Sequence, residues 1–262
     1  DVAEADAEAL DGFDPEQVDM MAEAVILVDE MDRPLGRASK VNAHRGAGAY
    51  HRAFSVMLFD QNGRLLLQRR ADDKITFPGI WANTCCSHPL DVPEEREETD
   101  GLGVRRAAVR KLKQELGIES VSVDDLTYVG RFRYQARQDE TWIEREVDHL
   151  LVGRVKDLEV SPNPNEVAEV RWVSQDDMEA MLVEENPEHP VAPWFRCIAA
   201  RLMDDAWWNA ETKEDHQALF DEHIHDLGDV SHMLPGAVGA DLRTSVLEVL
   251  PLVESRIASR LT

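Results

Sequence analysis

Short apolar runs separated by polar turns dominate the first seventy residues. The run AEAVILVDE, residues 22–30, predicts a buried strand, and the DRPLG that follows it carries turn residues. Two more runs, YHRAFSVMLFD at 50–60 and RLLLQRR at 64–70, flank the turn QNG. An Asn-Gly step between apolar runs is a strong short-range signal for a β-hairpin. The pattern therefore predicts a fold that opens with strands.

Helical spacing follows at residues 104–117, where VRRAAVRKLKQELG places apolar residues on one face and stops at Gly117. Strand patterns return in the segments 126–137, 141–155 and 167–174. The remaining helical patterns are 175–185, 192–210 and an amphipathic C-terminal stretch, 243–262, that Pro251 interrupts. This mixture predicts an α+β fold around one core.

One predicted strand has an acidic face. In TWIEREVDHLLVGRV, residues 141–155, every second residue from 144 to 148 is acidic. Because side chains alternate between the two faces of a strand, Glu144, Glu146 and Asp148 share one face. A solvated strand face is the ordinary interpretation of such alternation, and a bound cation is the functional one.

Composition limits the partners. The chain has 262 residues, 43% of them hydrophobic, which is enough for a sizeable core. Its 28 Lys and Arg against 52 Asp and Glu give a net charge of −24, so nucleic acid or an anionic membrane surface would be repelled. Only six of the basic residues are lysines, and this acidic, lysine-poor composition is typical of adaptation to high cytoplasmic salt. We expect a halophilic protein whose folding depends on salt.

Cysteine usage and hydropathy bear on location. Three cysteines cannot form a disulfide framework, and the start DVAEADAEALDGFD is acidic where a signal peptide would be basic and then apolar. No apolar run reaches the roughly 20 residues that a membrane-spanning helix requires. These features predict a cytoplasmic protein without a membrane partner, and we expect a monomer or a weak homo-oligomer.

Histidines and carboxylates from separate segments are candidate metal ligands. Mixed nitrogen and oxygen ligation by His44, His51, His88, Glu144 and Glu146 would suit Mn²⁺, Mg²⁺ or Zn²⁺. Spacing alone leaves the ordinary alternative open, since a lone loop histidine is more often a surface or hydrogen-bonded residue.

The stretch TCCSHPL, residues 84–90, holds two of the three cysteines. It lacks the C-x₂₋₄-C spacing of structural zinc sites. A reactive thiol and a small buried side chain both remain open for each cysteine.

Several long motifs resemble one family. They are HRAFS (51–55), KITFPGIWANTCCSHPL (74–90), GVRRAAVRKLKQELGI (103–118), WIEREVD (142–148), NPNE (163–166) and APWF (192–195). In this order they resemble the type 1 isopentenyl-diphosphate delta-isomerases, a branch of the Nudix superfamily, over about residues 20–215. The resemblance implies interconversion of isopentenyl diphosphate and dimethylallyl diphosphate in isoprenoid biosynthesis.

The resemblance also implies an architecture. We expect an acidic lead-in at 1–20, a Nudix-like mixed β-sheet core flanked by helices at 21–215, and a C-terminal helical extension at 216–262. No role is assigned to the extension, for which packing on the core is the plainest interpretation.

Catalytic and binding roles follow from the resemblance, residue by residue. Cys86, rather than Cys85, would move a proton on one side of the alkene, and Glu146 with Tyr134 would act on the other. Trp194 would face the carbocation, and the small diphosphate substrate would be contacted by Lys40, Arg70 and Lys74.

Two metal sites are implied as well. One divalent ion, Mn²⁺ or Zn²⁺, would lie among His44, His51, His88, Glu144 and Glu146. A second, Mg²⁺, would bridge Glu115 and the diphosphate, and Cys86 is also among the residues implied to lie at metal. The resemblance implies no flavin.

Three alternatives compete with this interpretation. A Nudix pyrophosphohydrolase would carry the box R-E-x-x-E-E-x-G, but this chain has Lys111 and Gln114 at two of its carboxylate positions. A non-enzymatic metal-binding module would have a closed site, whereas an isomerase site would open into an apolar pocket. The flavin-dependent type 2 isomerase is set aside, because the sequence has neither a repeated βα pattern nor a glycine-rich phosphate loop.

Overall fold

The predicted strands pair with several unpredicted ones into one mixed sheet, and the DRPLG predicted as a turn enters a strand at Pro34. A computed structural model of the chain describes residues 9–183, 188–234 and 242–260, with side chains from residue 248 onward in the last range. Within these residues the strands are β1 Ala24–Val28, β2 Pro34–Ser39, β3 His51–Phe59, β4 Leu65–Arg70, β5 Trp81–Ala82, β6 Cys85–Ser87, β7 Thr127–Arg137, β8 Ile143–Arg154, β9 Val167–Val173 and β10 Ile224–Asp229.

Helices cover both faces of the sheet. In the described ranges they are α1 Pro15–Met21, α2 Lys40–Ala43, α3 Leu102–Leu116, α4 Gln175–Val183, α5 Pro193–Arg201, α6 Asp205–Asn209, α7 Lys213–Ala218 and α8 Leu242–Arg260. Short 3₁₀ turns are Thr99–Gly101, Val123–Asp125 and Ser231–Met233. None of the described helices is long and apolar enough to span a membrane.

Strands β3 and β8 are neighbours at the centre of the sheet. The strand order is β10-β7-β8-β3-β1-β2, with β4 and β6 also paired to β3, and with β5 and β9 paired to β4. Strands β3 and β8 run parallel, and His51 at the start of β3 stands opposite Glu146. Strand β7 runs antiparallel to β8 and sets Tyr134 opposite Glu146 on the other side. This register brings three predicted site residues into one row.

The sheet separates the hydrophobic core into two clusters, one on each face. Helix α3 packs on one face against Phe54, Val56 and Leu58 of β3. The other face, which carries Met57 and Phe59, packs against helix α5 and the C-terminal segment. Odd and even positions of one strand thus enter different cores, as strand alternation requires.

Most local predictions are confirmed. The hairpin connects β3 to β4 through a turn in which the Gly63 N–H donates to the Asp60 carbonyl at 3.1 Å and Gly63 has a φ of +74°. Helix α3 ends where the pattern stops, with Gly117 in the left-handed conformation at φ 63°. There the Gly117 N–H donates to the Lys113 carbonyl at 3.0 Å.

The single helix predicted at 192–210 is wrong. The structure has two helices, α5 and α6, with a break after Arg201. Asp204 caps the second helix, since its side chain accepts from the Ala206 N–H at 3.0 Å. Asp side chains compete with the helical backbone through such hydrogen bonds, so the Asp204–Asp205 step starts a new helix.

The C-terminal segment is part of the fold. Its strand β10 pairs in parallel with β7, a strand that the predicted helical extension did not include. Helix α8 continues through Pro251, where a proline was expected to interrupt it. The Arg256 guanidinium donates to the carbonyls of Ala199 and Ala200, at the end of helix α5. Such contacts offset the one backbone hydrogen bond that an interior proline removes. The segment boundaries at residues 20 and 215 stay predictions.

Candidate active site

Three histidines and one glutamate converge beside the start of β3. His44 follows helix α2, His51 begins β3, His88 follows β6, and Glu146 lies in β8. All four are buried, and one ligand atom from each lies within 4.8 Å of the others. We call these four residues the His/Glu group. The histidine ring centroids are 4.5–5.1 Å apart.

Backbone carbonyls orient two of the rings. The Nδ1–H of His44 donates to the Lys40 carbonyl and that of His51 to the Ala49 carbonyl, both at 2.8 Å. A carbonyl only accepts, so the proton sits on Nδ1 and the Nε2 lone pair is free. Among the described residues the buried Nε2 of His51 has no hydrogen-bond partner, and it lies 3.4 Å from Glu146 Oε1.

The charge states also suit a cation. Burial, followed by the neighbouring imidazoles, lowers the pKa of His44 well below its usual value. Burial likewise lowers the pKa of His88 to about 4, although the adjacent Glu146 opposes this. Burial would raise the pKa of Glu146, but its contacts with His51 and His88 hold it well below the usual value. Neutral imidazoles at His44 and His88 beside an ionised Glu146 are protonation states that metal ligation needs.

The residues therefore fit a divalent metal ion. Three imidazole nitrogens and one carboxylate oxygen form a mixed donor set of the kind that binds transition metals and zinc. The orphaned Nε2 of His51 supports the same interpretation, because an unpaired buried polar atom is costly without a partner.

Tyr134 links the two glutamates of the acidic strand face. Its hydroxyl lies 2.9 Å from Glu144 Oε2 and 2.7 Å from Glu146 Oε2. One phenol proton serves only one carboxylate, so the other contact requires a second proton. Burial and the adjacent Glu146 raise the pKa of Glu144 to about 8, which makes Glu144 the protonated partner. A chain of two protons from Glu144 through Tyr134 to Glu146 results.

The two adjacent cysteines point in different directions. Cys85 is fully buried, with its Sγ 3.5 Å from Glu115 Oε2 in the core beneath helix α3. Cys86 borders the cavity, and its Sγ lies 3.9 Å from Arg70 Nη1. Burial raises the pKa of the Cys86 thiol despite the nearby Arg70. Strand alternation in β6 therefore presents one neutral thiol to the cavity.

Three cations predicted to bind substrate also line this cavity. Arg70 donates to the carbonyls of Thr76 and Phe77 at 2.7 and 2.9 Å. Lys74 pairs with Glu166 at 2.5 Å, and Lys40 with Glu23 at 3.2 Å. Burial lowers the pKa of Lys40 to about 8, and the repulsion of Lys111 adds to this. Several buried cations that line one cavity favour an anionic ligand.

Glu115 has cationic partners of its own. Its carboxylate lies 3.1 Å from Lys111 Nζ and accepts from Gln68 at 3.2 Å. Burial opposes ionisation, but Lys111 and Lys74 outweigh it and lower the pKa of Glu115 to about 2. Glu115 is therefore an ionised carboxylate, the oxygen ligand type that Mg²⁺ takes, and in this structure Lys111 compensates its charge.

Trp194 closes the apolar side. It lies in the first turn of helix α5 and is 1% exposed. Its ring packs edge-on to Phe77 at 5.1 Å and lies 6.0 Å from Tyr134 between centroids. The indole N–H has no hydrogen-bond partner in the described part of the chain.

Nearly all of the residues predicted from the sequence border one cavity. Those that line it are Lys40, His44, Arg70, Lys74, Cys86, His88, Glu115, Tyr134, Glu144, Glu146 and Trp194. His51 is fully buried within the His/Glu group. Glu144, Glu115 and Cys86, also predicted at metal, lie outside that group.

Eight lining residues were not predicted: Gln17, Met20, Met21, Ile75, Thr76, Ser87, Lys111 and Glu166. Lys111 stands one helical turn before Glu115, a spacing that was available in the sequence. Glu166 ends the motif NPNE, and helix α1 contributes Gln17 and Met20. The Gln17 amide donates to Asn165 Oδ1 at 3.0 Å, a contact over 148 positions that no local pattern signals.

Fold and site together define a class. A family model described as the NUDIX domain matches residues 49–195, which is more than half of the chain. The chain is a Nudix-domain protein, and the predicted fold class is confirmed.

Relatives define the particular family. The chain is 45% identical over 206 residues to isopentenyl-diphosphate delta-isomerase 1 of Bos taurus, covering 76% of this chain and 90% of that protein. It is 44% identical over 221 residues to the isopentenyl-diphosphate delta-isomerase of Aspergillus fumigatus, covering 78% of each. Among solved structures, a protein of Deinococcus radiodurans has a TM-score of 0.49 at 17% identity, covering 67% of this chain and 97% of that one. The chain belongs to the isopentenyl-diphosphate delta-isomerase family.

Proposed function

We propose that this protein interconverts isopentenyl diphosphate and dimethylallyl diphosphate. Family membership supports the reaction, and one geometric observation supports its assignment to this cavity. A neutral thiol, Cys86, and the hydrogen-bonded pair Tyr134 and Glu146 border the same space, next to the aromatic ring of Trp194. The reaction needs proton donors and acceptors of this kind and no hydrolytic water.

The proton donors and acceptors at the cavity match those that an allylic shift requires. A proton is added to the terminal carbon of the alkene, and a tertiary cation forms at the next carbon. A different proton then leaves the chain carbon on the other side of this cationic centre. Cys86 acts on one face of the substrate, and Glu146 with Tyr134 on the other. Glu144 holds a further proton within hydrogen-bond reach of Tyr134, at 2.9 Å. The enzyme ends each turnover with the same number of protons.

Trp194 shelters the cation. An indole face within about 6 Å of a desolvated positive charge contributes about 2 kcal/mol. The burial of Trp194, Phe77 and Tyr134 also keeps water from the intermediate.

Cations bind the diphosphate. We assign this role to Lys40, Arg70 and Lys74 and add Lys111, which lies on the same cavity wall. Glu115 would hold Mg²⁺ against the diphosphate. The His/Glu group would hold Mn²⁺ or Zn²⁺, which when bound supplies a positive charge that makes the adjacent carboxyl and phenol more acidic.

The rival hydrolase is less well supported. The box helix presents Lys111 and Gln114 where two carboxylates are expected, and the lining of the cavity has an aromatic wall. A closed structural metal site is also disfavoured, because the His/Glu group borders an open cavity. The cytoplasmic location, the oligomeric state and the halophilic character stay predictions.

Proton NMR in D₂O tests the proposal. Purified protein is incubated with isopentenyl diphosphate, Mg²⁺ and Mn²⁺ in high salt, and we expect deuterated dimethylallyl diphosphate. Release of phosphate would instead favour a pyrophosphohydrolase, and an unchanged spectrum from folded, metal-loaded protein would favour a binding role.

The neighbouring cysteines give a matched pair of variants. We expect Cys86→Ala to lose nearly all turnover and Cys85→Ala to keep most of it, since only Cys86 borders the cavity. Equal rates for the two variants would remove Cys86 from the mechanism.

A further inference from the structure

A half-buried ion pair between Glu95 and Arg110 lies next to the backbone of His88. Glu95, in the segment between β6 and α3, is 7% exposed. Its two carboxylate oxygens accept from Nε and Nη2 of Arg110, on helix α3, at 2.7 and 2.9 Å. Such a two-point pair has a fixed geometry, so each partner sets the position of the other.

Both partners also hold the backbone on either side of Pro89. Arg110 Nη2 donates to the His88 carbonyl at 3.2 Å, and Glu95 Oε2 accepts from the Leu90 N–H at 2.6 Å. The peptide groups on both sides of Pro89 are thereby connected to helix α3 through the Glu95–Arg110 pair.

His88 differs from the other two histidines in what orients its ring. The Nδ1–H groups of His44 and His51 are held by backbone carbonyls, whereas Nδ1 of His88 has no hydrogen-bond partner among the described residues. In the described part of the chain its ring makes one hydrogen bond, between Nε2 and Glu146 at 2.8 Å, to a residue of the His/Glu group itself. Besides packing against the other two imidazoles, this ring therefore depends for its position on the backbone of His88.

Helix α3 carries the altered Nudix box. Arg110 stands at the arginine of the box, while Lys111 and Gln114 replace two of the box carboxylates. Arg110 pairs with Glu95, from the segment that follows His88, and donates to the His88 carbonyl.

We propose that Glu95 and Arg110 are positioning residues that hold His88 in the geometry for divalent metal binding. The proposal rests on the proposed function only for its effect on turnover. The pair acts through the His88 backbone and touches neither substrate nor metal. Groups that orient metal ligands typically change metal affinity by about 10–100-fold when they are removed.

The test uses Mn²⁺ alone as the probe. Metal-free wild type, Arg110→Lys and Glu95→Gln are titrated with Mn²⁺, free ion is counted by electron paramagnetic resonance, and thermal unfolding is measured on the same samples. Arg110→Lys keeps the charge but loses the two-point fork. Glu95→Gln, the milder variant, keeps an acceptor for the Leu90 N–H.

Arg106→Lys is the matched control. Arg106 lies on the same helix one turn earlier, and its Nη1 donates to the Glu94 carbonyl of the same segment at 2.9 Å without reaching His88. We expect about 10–100-fold weaker Mn²⁺ binding for Arg110→Lys, a smaller loss for Glu95→Gln and wild-type binding for the control.

Turnover gives an independent readout. In the Arg110→Lys protein we expect kcat to fall while KM for isopentenyl diphosphate stays near the wild-type value, and excess Mn²⁺ should restore part of kcat. Because the Mn²⁺ titration needs no turnover, failure of the proposed reaction would leave its result standing.

Wild-type Mn²⁺ affinity in folded Arg110→Lys and Glu95→Gln would overturn the proposal, as would equal weakening in Arg106→Lys. A wild-type protein that binds no Mn²⁺ would overturn it as well.

Discussion

Strands β3 and β8 carry two buried clusters of opposite character on their two faces. One face carries His51 and Glu146 of the His/Glu group, and Glu146 borders the cavity. The other presents Arg52 and His149, one residue further along β3 and three further along β8, to Asp32 from the turn after β1. The same pair of strands thus supports a candidate metal site and a salt-bridge cluster.

The second cluster is electrostatically saturated. Asp32 accepts from Arg52 Nε at 2.8 Å and lies 3.0 Å from His149 Nε2 and 3.2 Å from Arg131 Nη1. Burial would raise the pKa of Asp32, but His149 and Arg52 outweigh it and lower the pKa to about 2. We call Asp32, Arg52, His149 and Arg131 the Asp32 cluster. Every charge in it has a partner.

The strand face toward the cavity lacks such complete charge pairing. Glu144, Glu146 and Asp148 crowd one strand face, and burial raises the pKa of Asp148 well above its usual value. Asp148 has one hydrogen bond, from Ser55 Oγ at 2.8 Å, and its other oxygen has no partner in the described structure. The comparison teaches that a buried cluster left short of positive charge indicates a cation or ligand site, whereas a saturated one indicates structural support.

The largest expected effect is on turnover. Glu146→Gln keeps the shape of the side chain but removes the proposed proton acceptor and metal ligand, so we expect kcat to fall by about 10³-fold or more. The NMR assay measures the loss, and circular dichroism checks the fold. Asp32→Asn, on the other face, should keep near wild-type turnover, and equal losses in both variants would break the comparison.

The Asp32→Asn variant should instead lose stability. Asn tolerates the positive φ of 62° at this position and leaves Arg52 and His149 without a counter-charge. From the lowered pKa we expect the free energy of unfolding at pH 7 to fall by about 2 kcal/mol. Urea unfolding measures the change.

The pH dependence of that loss has a definite sign. A carboxyl whose pKa falls from 3.8 to about 2 on folding stabilises the protein above pH 3.8, and this contribution disappears as the pH falls to about 2. Wild type and Asp32→Asn should therefore converge in stability at acid pH. A constant difference from pH 7 down to pH 2 would contradict the assignment.

Glu144→Gln should have a smaller effect of the opposite sign. Folding raises the pKa of Glu144 from 4.5 to about 8, so the free energy of unfolding of the wild type falls as the pH rises through this interval. In metal-free protein we expect the variant to be more stable by about 1–2 kcal/mol at pH 7.5 and equal to wild type at pH 4. Urea midpoints at the two pH values, with chelator present, measure this; a variant less stable at pH 7.5 would refute it.

The smallest effect is expected at the rim of the Asp32 cluster. Glu98 accepts from Arg52 Nη2 at 3.0 Å, but its side chain is 60% exposed. Exposed ion pairs contribute little, so Glu98→Gln should change the free energy of unfolding by less than about 0.5 kcal/mol. Thermal unfolding at low and high salt checks this. A loss of stability comparable to that of Asp32→Asn would show that the charge pairing of the Asp32 cluster extends to the surface.

Prediction from the sequence succeeded where the signal is local. Helix α3 and its stop at Gly117, the hairpin between β3 and β4, and the shared face of Glu144 and Glu146 all follow from spacing along the chain. The roles of Cys86 and the histidines came from resemblance, because spacing alone left a buried cysteine and surface histidines as open alternatives. The break after Arg201 was missed because a helical hydrophobic pattern continues across it.

The sequence by itself determined the local elements, the family and which residue types carry the chemistry, because periodicity, turn residues and motifs act over a few neighbouring positions. Only the tertiary structure decided that His44, His51 and His88 meet Glu146 while Glu144 bonds to Tyr134 instead. It also decided that Glu95 and Arg110 hold the His88 backbone and that Asp32 finds its three partners. These contacts depend on the parallel pairing of β3 with β8 and on the packing of α3. Such contacts join residues that are far apart in the sequence, so they produce no periodic pattern along the chain.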